Sequence, residues 1–185
     1  MRLLKLLRKA NVLRLDTVII DGTIVRAFGG GDQTGPSPVD RRKLGTEHTP
    51  LTDANGIPLA IHTAPANVSD HRQILSLVRE FPKVGGTPGR PKQRPDHLFA
   101  DRGYSSDATR AILHWMGIEP RIARRGEEHG SGLEKVRWVV ERSISWIKGF
   151  WRMRFRYDRL GIIQDAWSTL AAAAVCIHIS CEACV

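Results

Sequence analysis

Two short apolar runs that each close on an aspartate constrain this chain more than any other feature. Thr17-Val18-Ile19-Ile20 is β-branched throughout and runs into Asp21-Gly22-Thr23; His97-Leu98-Phe99-Ala100 runs into Asp101-Arg102-Gly103-Tyr104. Runs of this length bounded by glycine read as buried strands. An acid at the carboxyl end of such a strand stands where open α/β sheets collect their ligands. Either aspartate alone reads as a turn or cap residue; two of them, on strands that can be neighbours, point to a site.

The rest of the chain supplies the remaining layers. Residues 2–10 read as a short basic amphipathic helix, and the Gly/Pro-rich stretch after Gly29 as an exposed loop carrying Asp40, Arg41, Arg42 and Lys43. Leu51 to Ile61 has a hairpin pattern turning at Asn55-Gly56. A helix capped by Ser69 or Asp70 ends before Phe81-Pro82, and Lys83 to Pro95 reads as a mobile surface loop. A second helix, capped by Ser105 or Ser106, runs to Trp115-Met116-Gly117, and Ile118 to Ile122 reads as a strand. After a charged loop from Arg124 to Gly132 come a helix from Leu133 to about Phe150, a basic aromatic stretch and an Ala-rich helix. The order predicts a mixed α/β fold, divided as a short helix at 1–15, a central domain at 16–160 and a final helix and tail at 161–185.

Charge narrows the partner. Lys and Arg number 28 against 19 Asp and Glu, a net +9, within 185 residues that suffice for one ordinary core. Clustered cations gain affinity by displacing counterions from phosphates. Their interleaving with Trp and Tyr in a structured segment favours nucleic acid over a membrane surface. No apolar run approaches the ~18–20 residues of a spanning helix, and the start lacks a secretory signal, so the expectation is a cytoplasmic, nucleoid-associated protein without a membrane. Cys176, Cys181 and Cys184 cluster near the end with His178; the expectation is buried reduced thiols rather than a metal site.

The third acid is Glu141. Val136, Val139, Val140, Ile144, Ile147 and Trp151 follow the spacing of a core-facing helical stripe. Arg137, Glu141, Ser145 and Lys148 form a second stripe beside it. On its own this is an exposed face with one Arg–Glu pair. Three carboxylates from separate elements, flanked by cations, are also what phosphodiester displacement assisted by two divalent ions requires.

These segments together resemble the DDE transposases of the IS5/IS4-like insertion-sequence group. The resemblance is carried by Ile20-Asp21-Gly22-Thr23, by Ala100-Asp101-Arg102-Gly103-Tyr104, and by Arg137, Glu141 and Lys148 at the family's spacing. It is carried too by Arg152-Met153-Arg154-Phe155-Arg156-Tyr157, by Thr34 to Arg41 and by Ala66 to Asp70. It implies a ribonuclease-H-like mixed sheet flanked by helices, with Asp21 on the first strand, Asp101 after the fourth and Glu141 on a later helix. It further implies that Asp21, Asp101 and Glu141 are catalytic and hold Mg²⁺ or Mn²⁺, two ions in all. Arg137, Lys148, Arg152, Arg154 and Arg156 would contact double-stranded DNA, at insertion-sequence ends and at the target, in a homo-oligomer. The activity implied is cleavage and transfer of DNA strands; the alternatives are a DNA-binding or regulatory fragment without catalysis, and a general nuclease of the same fold.

Two departures stand out. Glu134 occupies a position where relatives often have Tyr, and Glu47, before His48, one where they commonly have Lys; the latter is expected to weaken a DNA contact. Only some twenty residues precede Asp21, where such transposases usually carry an end-recognition region. The expectation is therefore a catalytic portion, with residues 1–15 the remnant of an upstream region, that works with an upstream reading-frame product and discriminates poorly between element ends and random duplex by itself.

Overall fold

A computed structural model describes residues 2–87, 90–124 and 132–182. Helix α1 (Arg2–Lys9) precedes strands β1 (Thr17–Ile20), β2 (Thr23–Arg26), β3 (Gly35–Pro36), β4 (Leu44–Asp53) and β5 (Pro58–Pro65). Then come α2 (Asp70–Arg79), β6 (Gly85–Thr87), β7 (Arg90–Lys92), β8 (His97–Ala100), α3 (Asp107–Trp115) and β9 (Glu119–Ile122). Helices α4 (Arg137–Gly149), α5 (Trp151–Arg154) and α6 (Gly161–Glu182) complete the described chain.

The main sheet has the order β2-β4-β1-β8-β9, with β3 and β5 also paired to β4. β1, β8 and β9 are mutually parallel, whereas β4 runs antiparallel to β1, β2 and β5. β1 and β2 are one strand interrupted. Ile20 pairs Leu51 and Thr23 pairs His48 in a single register, which sets Asp21 opposite Pro50, a residue with no N–H for the ladder. Counted this way, and leaving aside the two-residue β3 and the β6–β7 ribbon, β8 is the fourth strand.

Both faces of β1 are covered, which explains why its sequence does not alternate. Val18 and Ile20 pack with Ile74, Leu77 and Leu98 in the larger core, which also takes in Leu4 and Leu7 of α1 and Cys176 of α6. Ile19 faces the other way, onto Val139 and Val140 of α4. A third cluster joins Ile147, Met153, Ala171 and Val175.

Several expectations are corrected. Thr23–Arg26, unassigned from sequence, is a strand. The expected loop at 83–95 contains the paired strands β6 and β7. The helix expected from Leu133 opens as a 3-10 turn over Leu133–Lys135, and α4 begins only after Val136 at φ −120°. Trp151, placed on the buried stripe, is 60% exposed because α4 ends at Gly149 and α5 leaves in a new direction. Helix α6 is long and apolar enough by length and composition to cross a membrane, contrary to the expectation that no stretch approaches spanning length. Here it lies against β5, with buried Gln164 hydrogen-bonded to the buried His48 ring. Cys176 is buried and its thiol pushed up to about 12 by desolvation, whereas Cys181 is exposed. Cys184 and most of the 124–132 loop lie outside the described residues.

Candidate active site

The two aspartates adjoin because their strands do. Ile20 is in register with Ala100 on parallel neighbours, so Asp21 and Asp101 leave the same end of the sheet side by side. Each carboxylate is oriented by the next peptide: Gly22 N–H donates to Asp21 Oδ1 at 3.0 Å, and Arg102 N–H to Asp101 Oδ1 at 2.6 Å, opening a 3-10 turn. Asp21 shares the parity of Ile19, and Asp101 that of Phe99, whose side chains meet α4.

Helix α4 is fixed in rotation by the β4–β5 hairpin. Ser143 Oγ donates to Gly56 O at 2.6 Å and Arg142 Nη2 to Asn55 O at 2.7 Å, while Arg142 lies over the rings of Trp138 and Trp146. Gly56 has φ +83°, and a Cβ there would stand 2.9 Å from Ser143 Oγ, so the turn needs glycine for conformation and approach alike. The hairpin itself is closed by buried Asp53, which accepts the N–H groups of Arg14, Asn55 and Ile57.

Docked in this way, α4 turns its polar stripe toward the aspartates. Arg137 Nε donates to Glu141 Oε1 at 2.9 Å, and its Nη2 lies 3.9 Å from Asp21 Oδ2. Lys148 Nζ donates to Thr23 Oγ1 at 3.2 Å, two residues beyond Asp21. Desolvation raises the Asp21 pKa; Arg137 and the Gly22 N–H oppose the rise, and the charges of Asp101 and Glu141 add to it. Asp21 therefore lies within the electrostatic reach of both other carboxylates at one end of the sheet. Hard oxygen donors of this kind suit Mg²⁺ or Mn²⁺ over softer metals. Among the described residues no three metal-ligating side chains are closed around one point; as it stands, Glu141 is turned to Arg137.

The remaining cations fall into two groups. Arg152 and Arg154 are exposed on α5, with Arg152 Nη1 3.4 Å from Asp158 and Arg154 Nε donating to Lys148 O. Arg156, assigned to DNA from the sequence, is fully buried. Its guanidinium donates to Asp158 O, Gln33 O, Thr46 Oγ1 and Asp32 O, leaving it unavailable to a phosphate.

Glu47 also departs from expectation. It is buried on the α2 side of the sheet, accepts from Gln73 Nε2 at 2.6 Å, and presses on the backbone of Gly22, where a Cβ would lie 2.2 Å from its Oε1 and 3.0 Å from Tyr104 Oη. Glu47 therefore supports the Asp21 loop from beneath and presents no surface to DNA. Desolvation pushes its carboxyl up to about 7. A folded carboxyl raised in this way favours the folded state fully below its unfolded pKa, and that advantage is lost as pH rises to about 7. Glu47→Gln, which cannot ionise, is expected to gain about 1–3 kcal/mol over the parent above pH 7.5 and little below pH 4.5. Thermal melts across that range check the crossover.

Residues 13–176 match the Transposase DDE domain family. The chain is 47% identical over 147 residues to a putative transposase for insertion sequence element IS402 from Burkholderia cepacia, an alignment covering 80% of this chain and 70% of that one. It is 27% identical over 206 aligned positions to the transposase for insertion sequence element IS1106 from Neisseria meningitidis serogroup B, covering 91% and 66%. The chain thus spans about two thirds of the length of these relatives. Among solved structures, the Mos1 mariner paired end complex with Mn superposes with a TM-score of 0.50 at 14% identity, over 96% of this chain and 56% of that one. The catalytic core domain of BIV integrase gives 0.44 at 14% identity over 86% and 82%. With its ribonuclease-H-like sheet, the chain belongs to the DDE transposases of insertion sequences.

Proposed function

We propose that this chain is the catalytic portion of an IS5/IS4-like transposase that cleaves DNA strands at element ends and transfers them to a target, dependent on Mg²⁺ or Mn²⁺. The observation that carries this reading is the in-register exit of Asp21 and Asp101 from adjoining parallel strands, on the face to which α4 brings Glu141. Asp21, Asp101 and Glu141 would hold the ions. Bound there, divalent cations would activate the attacking oxygen and stabilise the leaving one. Arg137 would pass from its carboxylate partners to the DNA backbone, while Lys148, Arg152 and Arg154 would hold phosphates on either side. The Mos1 structure is a paired end complex with Mn, in keeping with an assembly of two copies of this chain on DNA ends.

The test is a supercoiled plasmid carrying the element's two ends, incubated with the chain and Mg²⁺ or Mn²⁺. Strand breaks at the ends and joined products are expected, both abolished by chelation. Cleavage without joining would leave a nuclease. Binding without cleavage under either ion would leave a DNA-binding fragment.

The cations make a separate prediction. Arg137→Ala and Lys148→Ala are each expected to weaken binding uniformly across DNA sequences and to flatten the salt dependence by about one unit of log–log slope. Unchanged slopes in both variants, measured by anisotropy from low to near-physiological salt, would confine Arg137 to its bonds on the helix.

A further inference from the structure

The β1–β8 ladder ends at Ile20 and Ala100, one residue before each aspartate. Beyond it, no backbone hydrogen bond joins the turn after Asp21 to the turn after Asp101 among the described residues. The gap between the two carboxylates is then set by the side chains packed between those turns. Gly22 shares the parity of Ile20 and faces the larger core, away from α4. A Cβ on Gly22 would stand 3.0 Å from Tyr104 Oη and 2.2 Å from Glu47 Oε1, so no side chain fits there. Gly22 is not among the residues of positive φ, so close approach rather than backbone conformation demands the glycine.

Tyr104 belongs to the 3-10 turn that Asp101 opens, and its N–H donates to Asp101 O at 3.0 Å. Its side chain is 2% exposed and packs in the core with Ile20 and Ala100. The tyrosine thus reaches from one aspartate's turn to the other's. Both turns are braced. At Gly103 a Cβ would meet Asp70 Oδ2 of α2 at 2.5 Å. At Gly22 the brace is Glu47, held by Gln73, whose Oε1 accepts from Thr49 Oγ1 at 3.1 Å. The Tyr104 hydroxyl has no hydrogen-bond partner among the described residues, although Thr49 lies nearby, turned to Gln73. A buried hydroxyl left unpaired costs stability, and phenylalanine would fill the same core without that cost. Folding does not explain the hydroxyl. Its place does, against the residue whose N–H orients Asp21.

We propose that Tyr104 is a positioning residue, a strut between the two turns whose hydroxyl, packed on Gly22, holds Asp21 and Asp101 at the separation a shared divalent ion requires. The inference rests on the reading above that these aspartates hold such ions. Tyr104 would act through Asp21 and touch no substrate.

Calorimetric titration of the DNA-free chain with Mn²⁺, together with melts in chelator, tests the proposal. Tyr104→Phe keeps the ring and removes the contact on Gly22. It is expected to bind Mn²⁺ about tenfold or more weakly than the parent, the scale of losing a group that orients a metal ligand. Its melting temperature without metal is expected to equal or exceed the parent's, because an unpaired buried hydroxyl is gone. Ile118→Val lies in the same core, next to the end of β9 remote from Ala100. That variant is expected to melt lower and bind Mn²⁺ as the parent does. Stability kept with affinity lost marks a strut; a merely structural tyrosine gives the reverse. Parental Mn²⁺ affinity in Tyr104→Phe overturns the proposal, as does a loss of affinity that Ile118→Val shares equally. A parent that binds no Mn²⁺, or an Asp21→Asn variant that binds it as the parent does, would instead overturn the metal reading beneath it.

Discussion

Asp21→Asn, Asp101→Asn and Glu141→Gln are each expected to lower metal-dependent DNA cleavage by about a thousandfold or more, without loss of fold. The scale follows from chemistry in which divalent ions both generate the nucleophile and stabilise the leaving oxygen, so losing one ligand forfeits both effects. Folding should survive because none of the three carboxylates is a fully buried structural group. Asp21 keeps 18% of its side chain exposed and Glu141 56%. Without metal, Asp21→Asn should even be slightly more stable at neutral pH, since burial and the neighbouring acids raise the Asp21 pKa. Adding Mn²⁺ should then stabilise the parent and not the variant. Plasmid nicking and paired melts with and without Mn²⁺ check both halves; retained cleavage in all three variants would remove the catalytic assignment.

Arg156→Met is expected to cost about 3 kcal/mol or more of folding stability, the largest such effect among the basic residues. The side chain is wholly buried and ties the carbonyls of Asp32 and Gln33 to the segment after α5 while also bonding Thr46 on β4. That tie closes a seam already drawn by Phe28 N–H to Arg156 O and Asp32 N–H to Arg159 O. Removing the guanidinium leaves several buried acceptors unpaired, each costing about 1–3 kcal/mol where water cannot replace it. Arg154→Gln, two residues away and exposed, should change stability by no more than about 0.5 kcal/mol. Urea titrations of the two variants give the comparison; an Arg156 variant of parental stability but weak DNA binding would restore the role assigned from sequence.

The contrast between Arg154 and Arg156 shows where the sequence stops being legible. Both belong to one basic aromatic stretch, and local charge cannot tell an arginine facing water from one filling a polar seam with a loop over a hundred residues away. Glu47 is the same problem in reverse: on β4 it reads as a charge reversal on a DNA-facing strand, yet its neighbours Gln73 and Gly22 come from α2 and from the break between β1 and β2. The strand-end aspartates were legible because a short apolar run closed by an aspartate, with glycine one or two residues on, announces itself within seven residues. The helix carrying Glu141 was legible through its two stripes, but not its late start or the loss of Trp151 to solvent, which follow from a 3-10 turn and an abrupt exit at Gly149. The division of β1 from β2 was not legible, because it depends on β4 pairing with both.

The measurement that tests the central claim most directly is anomalous diffraction from crystals of the chain soaked in Mn²⁺. A peak is expected between Asp21 and Asp101, within direct coordination distance of carboxylate oxygens from both, and Glu141 swung from Arg137 to complete the set. A well-ordered peak elsewhere on the protein with none at the ends of β1 and β8, in crystals of a chain that cleaves DNA with Mn²⁺, would contradict it.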